Sequence, residues 1–324
     1  MVDFKKAQEI INHEISALDF NREPKELYEP VNYILSIGGK RIRPALVLMA
    51  CSLFSDQITH AVRPAIALEI FHNFTLLHDD MMDNSVLRRN QPTVHEKWNR
   101  NIAILSGDIM SILSYKYISY CPSGMLPTVL ELFTETALEV CEGQQYDLNF
   151  ETRNNIDVED YLKMIELKTS VLIAASLKLG AILGGASLAD ADLLYEFGRN
   201  LGIAFQLRDD MLDVYGDTDK FGKKIGMDIL ANKKTYLILK TMEIADNKTG
   251  SQLSELISSR DFNPEEKINR VINIFDQLGI KELTIKKSEE YYEHALKTLD
   301  MVSVDQKSKS ALKEFAMLLM DREH

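Results

Sequence analysis

An all-α fold is predicted for this chain of 324 residues by three features. All eight prolines lie at or before Pro127 except Pro264, so Thr128–Asn263 runs without the strongest helix breaker. Ile70, Phe74, Leu77 and Met81 recur at spacings of four, three and four, the stripe of a helix rather than the alternation of a strand. No hairpin or β-α-β pattern competes with the helical reading.

Composition sets the frame for the elements. Hydrophobic residues make up 45% of the chain, enough for a substantial core, and no linker-like stretch, repeat or low-complexity run divides it. Residues 1–324 therefore read as a single helical domain packed as a bundle. The formal net charge of -12 argues against a general binder of nucleic acid or anionic membranes. Cys51, Cys121 and Cys141 are odd in number and form no CxxC pair, so reduced thiols in a cytoplasmic protein are expected. The start MVDFKKAQEI lacks the apolar run of a secretory signal. The oiliest segment, Val171–Ala189, carries Lys178 and several glycines, which favours a soluble protein without stable membrane insertion.

The first segment with chemical content is GGKRIRP at Gly38–Pro44, where paired glycines stand beside Lys40, Arg41 and Arg43. Glycines let a backbone approach an anion closely, and the guanidinium fork matches phosphate oxygens. Neither a Walker loop nor a dinucleotide fingerprint is present. Taken alone, such a turn is usually solvent-exposed decoration.

Next comes the helix ending in LLHDDMMDN, Leu76–Asn84. At 100° per residue, Asp79 and Asp83 project from one face a turn apart, and His72 and Leu76 extend that face. LRRNQPT follows with Arg88 and Arg89. The segments Asp160–Leu183 and Ala191–Tyr215 are again apolar and helix-forming. The second of them contains FQLRDDMLD, so Gly202, Gln206, Asp209 and Asp213 share a face, and the two acidic faces can oppose each other. Carboxylates at this spacing repel unless a cation compensates them, and magnesium commonly joins one or two carboxylates to substrate phosphate oxygens. One such run is as readily a solvated helix face. Two, each flanked by apolar residues, favour a metal-diphosphate site.

GGKRIRP, HDDMMDNSVLRR, LKTS, FQLRDDMLDVYGD and KFGKKIGMD occur in this order across Gly38–Asp228. The set resembles the trans-isoprenyl diphosphate synthases, or polyprenyl synthetase family. The resemblance implies an isoprenoid-synthase-type helical bundle with a central active-site cavity, usually homodimeric. It also implies head-to-tail joining of isopentenyl diphosphate to an allylic diphosphate (dimethylallyl, geranyl or farnesyl), with release of diphosphate. The implied cofactor is Mg2+, three ions per active site with substrate bound. By motif matching, Asp79, Asp83 and Asp209 are implied as metal ligands, with Asp80, Asp210 and Asp213 supporting them. Arg88, Lys168, Lys223 and Lys233 are implied for the allylic diphosphate; Lys40, Arg43, His72 and Arg89 for isopentenyl diphosphate. Thr169 and Gln206 match residues beside the reacting carbons. NKKTY, Asn232–Tyr236, departs at its first and last-plus-one positions from the family's glycine-lysine-x-threonine-tyrosine-proline pattern.

For product length the family points to Phe74, five residues before Asp79, where an aromatic implies fifteen- or twenty-carbon products. The smaller Thr75 beside it favours geranylgeranyl over farnesyl diphosphate. On the helix Thr75, Phe71 and Phe74 lie about 40°, 80° and 140° from Asp79, which makes Phe71 a rival floor. Ordinary core packing accounts for either ring equally well. Three functional alternatives are a class I terpene cyclase, which needs no isopentenyl site; a squalene-synthase-like head-to-head enzyme, whose acidic motifs differ and which lacks the basic turn; and a non-catalytic regulatory subunit, which both intact acidic motifs disfavour.

Overall fold

The computed structural model describes residues 2–153, 155–216, 225–258 and 263–321. Helices dominate, and the all-α class holds. The chain forms two compact units, one of Met1–Thr134, Ala175–Tyr195 and Val302–Leu312, the other of Glu135–Ala174, Glu196–Met301 and Lys313–His324.

In the first unit, α1 (Phe4–Ser16) starts at Asp3, whose carboxylate accepts from the Lys6 N–H at 2.8 Å, and it buries Ala7, Ile11 and Ile15 at one-turn intervals. Helix α2 (Lys25–Ser36) precedes the glycine turn, and α3 (Ile42–Cys51) buries every residue from Pro44 to Cys51. A helix apolar all round belongs in a core. The packing explains two glycines of the oily segment, which lie on α9 (Val171–Gly184). A Cβ at Gly180 would stand 2.2 Å from the Val47 carbonyl oxygen, and one at Gly184 2.6 Å from that of Cys51. The i, i+4 pair lets two helix backbones touch.

Helix α4 (Thr59–Met82) packs along α6 (Arg100–Ile118), where Gly107 leaves room for the His78 ring. Between them lies a hairpin that the sequence reading excluded: β1 (Leu87–Arg88) pairs antiparallel with β2 (Gln91–Pro92). Its turn residues, Arg89 and Asn90, have φ of 52° and 61°. Positive φ at both central positions is the hairpin turn usually signalled by Asn-Gly, so Arg-Asn conceals it. The one-turn helix α5 (Val94–Lys97) follows.

In the second unit, Asp157 caps α8 (Val158–Ile165), which buries Tyr161, Leu162, Met164 and Ile165. The uninterrupted α-helix expected over Asp160–Leu183 is broken by a π-helical turn, Glu166–Ser170, before α9 begins. The turn is closely packed against two other helices. A Cβ at Gly143 of α7 (Leu126–Thr152) would meet the Lys168 backbone nitrogen at 2.3 Å, and one at Gly202 of α10 (Leu188–Tyr215) the Ser170 Oγ at 2.5 Å. The stretch Val158–Gly184 is long and apolar enough to cross a membrane, yet 72% of its qualifying apolar 18 residues are buried, as in a core helix.

After α11 (Met227–Leu230) come α12 (Tyr236–Ile244), α13 (Asn247–Ser258), α14 (Pro264–Gln277), α15 (Ile280–Met301) and α16 (Gln306–Met320). One apolar cluster joins Val214, Leu237, Leu253, Val271, Phe275 and Ile280; another joins Phe150, Tyr161, Ile165, Ile203, Leu207 and Tyr236. The second cluster supports the residues beneath the acidic end of α10.

Candidate active site

The last turn of α4 presents Asp79, Asp80 and Asp83. Asp83 caps the helix, its N–H donating to the Asp79 carbonyl at 2.9 Å, and Ser85 N–H donates to that of Asp80 at 2.8 Å. The hairpin is fastened by Thr93 Oγ1 to the Ser85 carbonyl and by Tyr33 Oη to that of Pro92, both at 2.7 Å. This anchoring carries Arg88 back onto Asp80, which it grips through Nε (2.8 and 2.9 Å) and a terminal nitrogen (2.6 Å), while Asp79 Oδ2 lies 4.0 Å away. Burial pushes the Asp80 carboxyl up, and Arg88 works against that shift. The Arg88 guanidinium, despite burial, is raised by Asp80 and Asp79. Asp80 is thus an anchor, whereas Asp79 and Asp83 keep carboxylate surface exposed.

Two turns back on α4, a basic set gathers. Arg43 donates to His72 Nε2 at 3.2 Å; because a guanidinium only donates, that ring nitrogen accepts. Burial, with Arg43, Arg89, Arg88 and Arg41 around it, holds His72 well below its ordinary range and therefore neutral. Burial also draws Arg43 down to about 10, and its buried Nε has no hydrogen-bond partner. Arg89 donates to the Gly38 carbonyl. Gly39 has a φ of 141°, which L side chains rarely adopt, and a Cβ on it would push aside the Arg89 guanidinium, 2.8 Å away. Lys40 is exposed on the same turn. Arg41 instead faces inward, pairing with Glu69 at 2.5 Å and donating to the Leu35 carbonyl at 2.7 Å; this holds its left-handed φ of 52°. Asn73 donates to Glu69 Oε1 at 3.1 Å.

In the second unit, the π turn displays Lys168 and Thr169. Lys168 Nζ lies 2.6 Å from Asp147 Oδ2. Thr169 Oγ1 donates to Gln206 Oε1 at 3.2 Å, Gln206 Nε2 donates to Asp210 Oδ1 at 2.9 Å, and Tyr161 Oη donates to Asp210 Oδ2. Burial and then Asp228 push the Asp210 carboxyl up to about 7, against the pull of its two donors. Asp209 and Asp213 are partly exposed, and Asp213 Oδ2 accepts from the Asp228 N–H at 3.0 Å. Lys233 Nζ stands 3.7 Å from Asp228 Oδ1. Asn232, in the place of the pattern's glycine, has φ of 57°, a conformation asparagine tolerates. Lys223 lies outside the described residues.

The structure therefore unites Arg43, His72 and Arg89, separately Arg88 with Asp79 and Asp80, and in the second unit Thr169, Gln206 and Asp210. Sequence reasoning missed Glu69, Asp147, Tyr161 and Asp228. Asp228 closes the quoted KFGKKIGMD, and Asp147 follows Gly143 by one turn, but neither has the paired spacing that drew attention elsewhere.

Along α4, Phe71 is 2% exposed. Its ring packs on Phe133 and on Phe74, with centroids 5.4 and 5.5 Å apart, and Tyr115 closes on Phe133 at 4.9 Å. Phe74, partly exposed, also meets His78 at 4.8 Å. Thr75 Oγ1 is spent on the His72 carbonyl at 2.8 Å.

Among the described residues no three His, Cys, Asp or Glu side chains form a ready metal cage. Residues 24–275 match the polyprenyl synthetase family model. This chain belongs to the polyprenyl synthetase family. As a member it is an all-α trans-prenyltransferase. A short chain isoprenyl diphosphate synthase of Methanothermobacter thermautotrophicus is 33% identical over 321 residues, 99% of this chain and 98% of that one. A solved geranylgeranyl pyrophosphate synthase superposes with a TM-score of 0.95 at 42% identity over 100% of both chains. Another, from Pyrococcus horikoshii, gives 0.92 at 32% identity over 98% of each. These relatives are named as synthases rather than as cyclases or regulatory subunits.

Proposed function

We propose that this polyprenyl synthetase joins isopentenyl diphosphate to an allylic diphosphate and favours geranylgeranyl diphosphate as product. The observation that carries the reading is on α4. This one helix bears a basic set at His72, with Arg43 and Arg89, and an acidic set at Asp79 and Asp83, about 10 Å further along its axis. Two differently built anion sites suit two diphosphates; a cyclase needs one.

Asp79 and Asp83 in the first unit, and Asp209 and Asp213 in the second, would each hold Mg2+, because their carboxylates are hard oxygen donors with exposed surface; Asp80 and Asp210 are buried against Arg88, Tyr161 and Gln206 and support them. Bound there, Mg2+ supplies Lewis-acid stabilisation of the leaving diphosphate. Lys168, Lys223, Lys233 and Arg88 bind the allylic diphosphate, with Arg88 also orienting Asp80. Arg43, Arg89 and Lys40 hold isopentenyl diphosphate, and neutral His72 accepts from Arg43 so that the guanidinium stays in place. Thr169 and Gln206 offer oxygen dipoles to the positive charge on the allyl unit. No side-chain nucleophile is required. Phe74 limits the growing chain, being the partly exposed ring, whereas Phe71 is its packed support.

The assembly is a homodimer on this reading, for which exposed Leu105 and Ile112 of α6 supply apolar surface. Its compartment is cytoplasmic, with thiols that burial makes less acidic. Mass analysis of the product formed from isopentenyl diphosphate and each allylic starter tests the function. A twenty-carbon prenyl diphosphate from all three is expected; no chain growth from any would refute it.

A further inference from the structure

The second unit contains a directional hydrogen-bond relay whose buried end has no part in the reaction as described. Tyr161, on α8, is 2% exposed, and its hydroxyl donates to Asp210 Oδ2. Asp210 is 5% exposed, and its other oxygen accepts from Gln206 Nε2 at 2.9 Å. An amide has one donor end and one acceptor end. With its nitrogen turned to the carboxylate, Gln206 must present Oε1 on the opposite side, where it accepts the Thr169 proton at 3.2 Å. The Thr169 hydroxyl has a single proton, so Oγ1 is left with lone pairs alone for whatever lies beyond it.

We propose that Tyr161 and Asp210 are positioning residues that fix the orientation of the Gln206 amide and thereby make Thr169 an obligate acceptor toward the allyl unit. This rests on the prenyl-transfer reading, which places Thr169 beside the reacting carbons. During that reaction the allylic carbon–oxygen bond breaks, its electron pair leaving on diphosphate; the isopentenyl π pair forms the new carbon–carbon bond, and the cation this leaves loses a proton to the departing diphosphate, restoring a double bond. A hydroxyl whose proton pointed at the electron-poor allyl unit would oppose ionisation; one presenting lone pairs assists it. The π turn is what brings Thr169 within reach of Gln206 while Lys168 stays paired with Asp147.

The test is a double-variant cycle on the full-length enzyme, with kcat and the KM of both diphosphates measured for Tyr161→Phe, Thr169→Val and the pair. Thr169→Val is expected to lower kcat roughly a hundredfold and Tyr161→Phe roughly tenfold, each with KM values within about twofold of wild type. The double variant is expected to be no slower than Thr169→Val alone, because Tyr161 acts only through that hydroxyl. Losses that multiply, or that appear in KM, overturn the relay. Should Tyr161→Phe fail to fold, Asp210→Asn replaces it in the same cycle, with the same non-additivity expected and multiplied losses again fatal. A wild-type protein that forms no prenyl chain removes the proposed function itself, whereas multiplied losses in an active enzyme remove only the relay.

Discussion

At the scale of single residues, the aspartates divide by exposure, and the division repeats by motif position: the second of each run, Asp80 or Asp210, is buried, while Asp79, Asp83, Asp209 and Asp213 are not. Asp79→Ala and Asp209→Ala are expected to slow turnover by orders of magnitude while leaving the circular-dichroism spectrum unchanged. Near-normal rates in both would exclude the metal role. His72 gives a pH prediction. Its imidazole is held well below 6.5 by burial and the surrounding arginines, so the unfolded chain binds a proton that the folded chain refuses. Stability must then fall as pH drops through 6.5 toward the lowered folded value. In urea titrations between pH 7 and 5.5, His72→Gln is expected to lose less stability than wild type; identical losses would show that this histidine does not carry the linkage.

At the scale of elements, the long helices were legible because period and proline distribution agree, and α4 and α10 lie where the spacing of Ile70 to Met81 and of Gly202 to Asp213 put them. Two features were not. The hairpin that brings Arg88 to Asp80 hides behind an Arg-Asn turn with no glycine. The π turn hides inside an apolar run, and the glycines it packs against, Gly143 and Gly202, are each distant in sequence from Lys168 and Ser170. Such turns collect at functional sites, and this one carries Lys168 and Thr169, proposed above for the allylic substrate. Adding a methyl at position 143 should force the turn to shift. Gly143→Ala is expected to cost about 1–3 kcal/mol in chemical denaturation and to lower kcat, since Lys168 and Thr169 move with the backbone. Unchanged stability and rate would mean the glycine is incidental.

At the scale of the whole molecule, the family and its chemistry were readable from ordered motifs, while the partners that hold each motif residue were not. Glu69, Asp147, Tyr161 and Asp228 act through contacts between elements, and no local pattern marks them. Product length belongs to this scale too, because it depends on how far an apolar chain can grow before a ring stops it. Phe74→Ala is expected to shift the product above twenty carbons, read by mass spectrometry. An unchanged distribution, together with extension by Phe71→Ala, would transfer the floor to Phe71 and its neighbours Phe133 and Tyr115.

The most direct measurement is the ratio of inorganic diphosphate released to labelled isopentenyl units incorporated, with magnesium present and after its chelation. One diphosphate for each isopentenyl unit, with both falling to background on chelation, is the predicted result. Diphosphate released without carbon–carbon bond formation, or chain growth undiminished without divalent metal, would contradict the account.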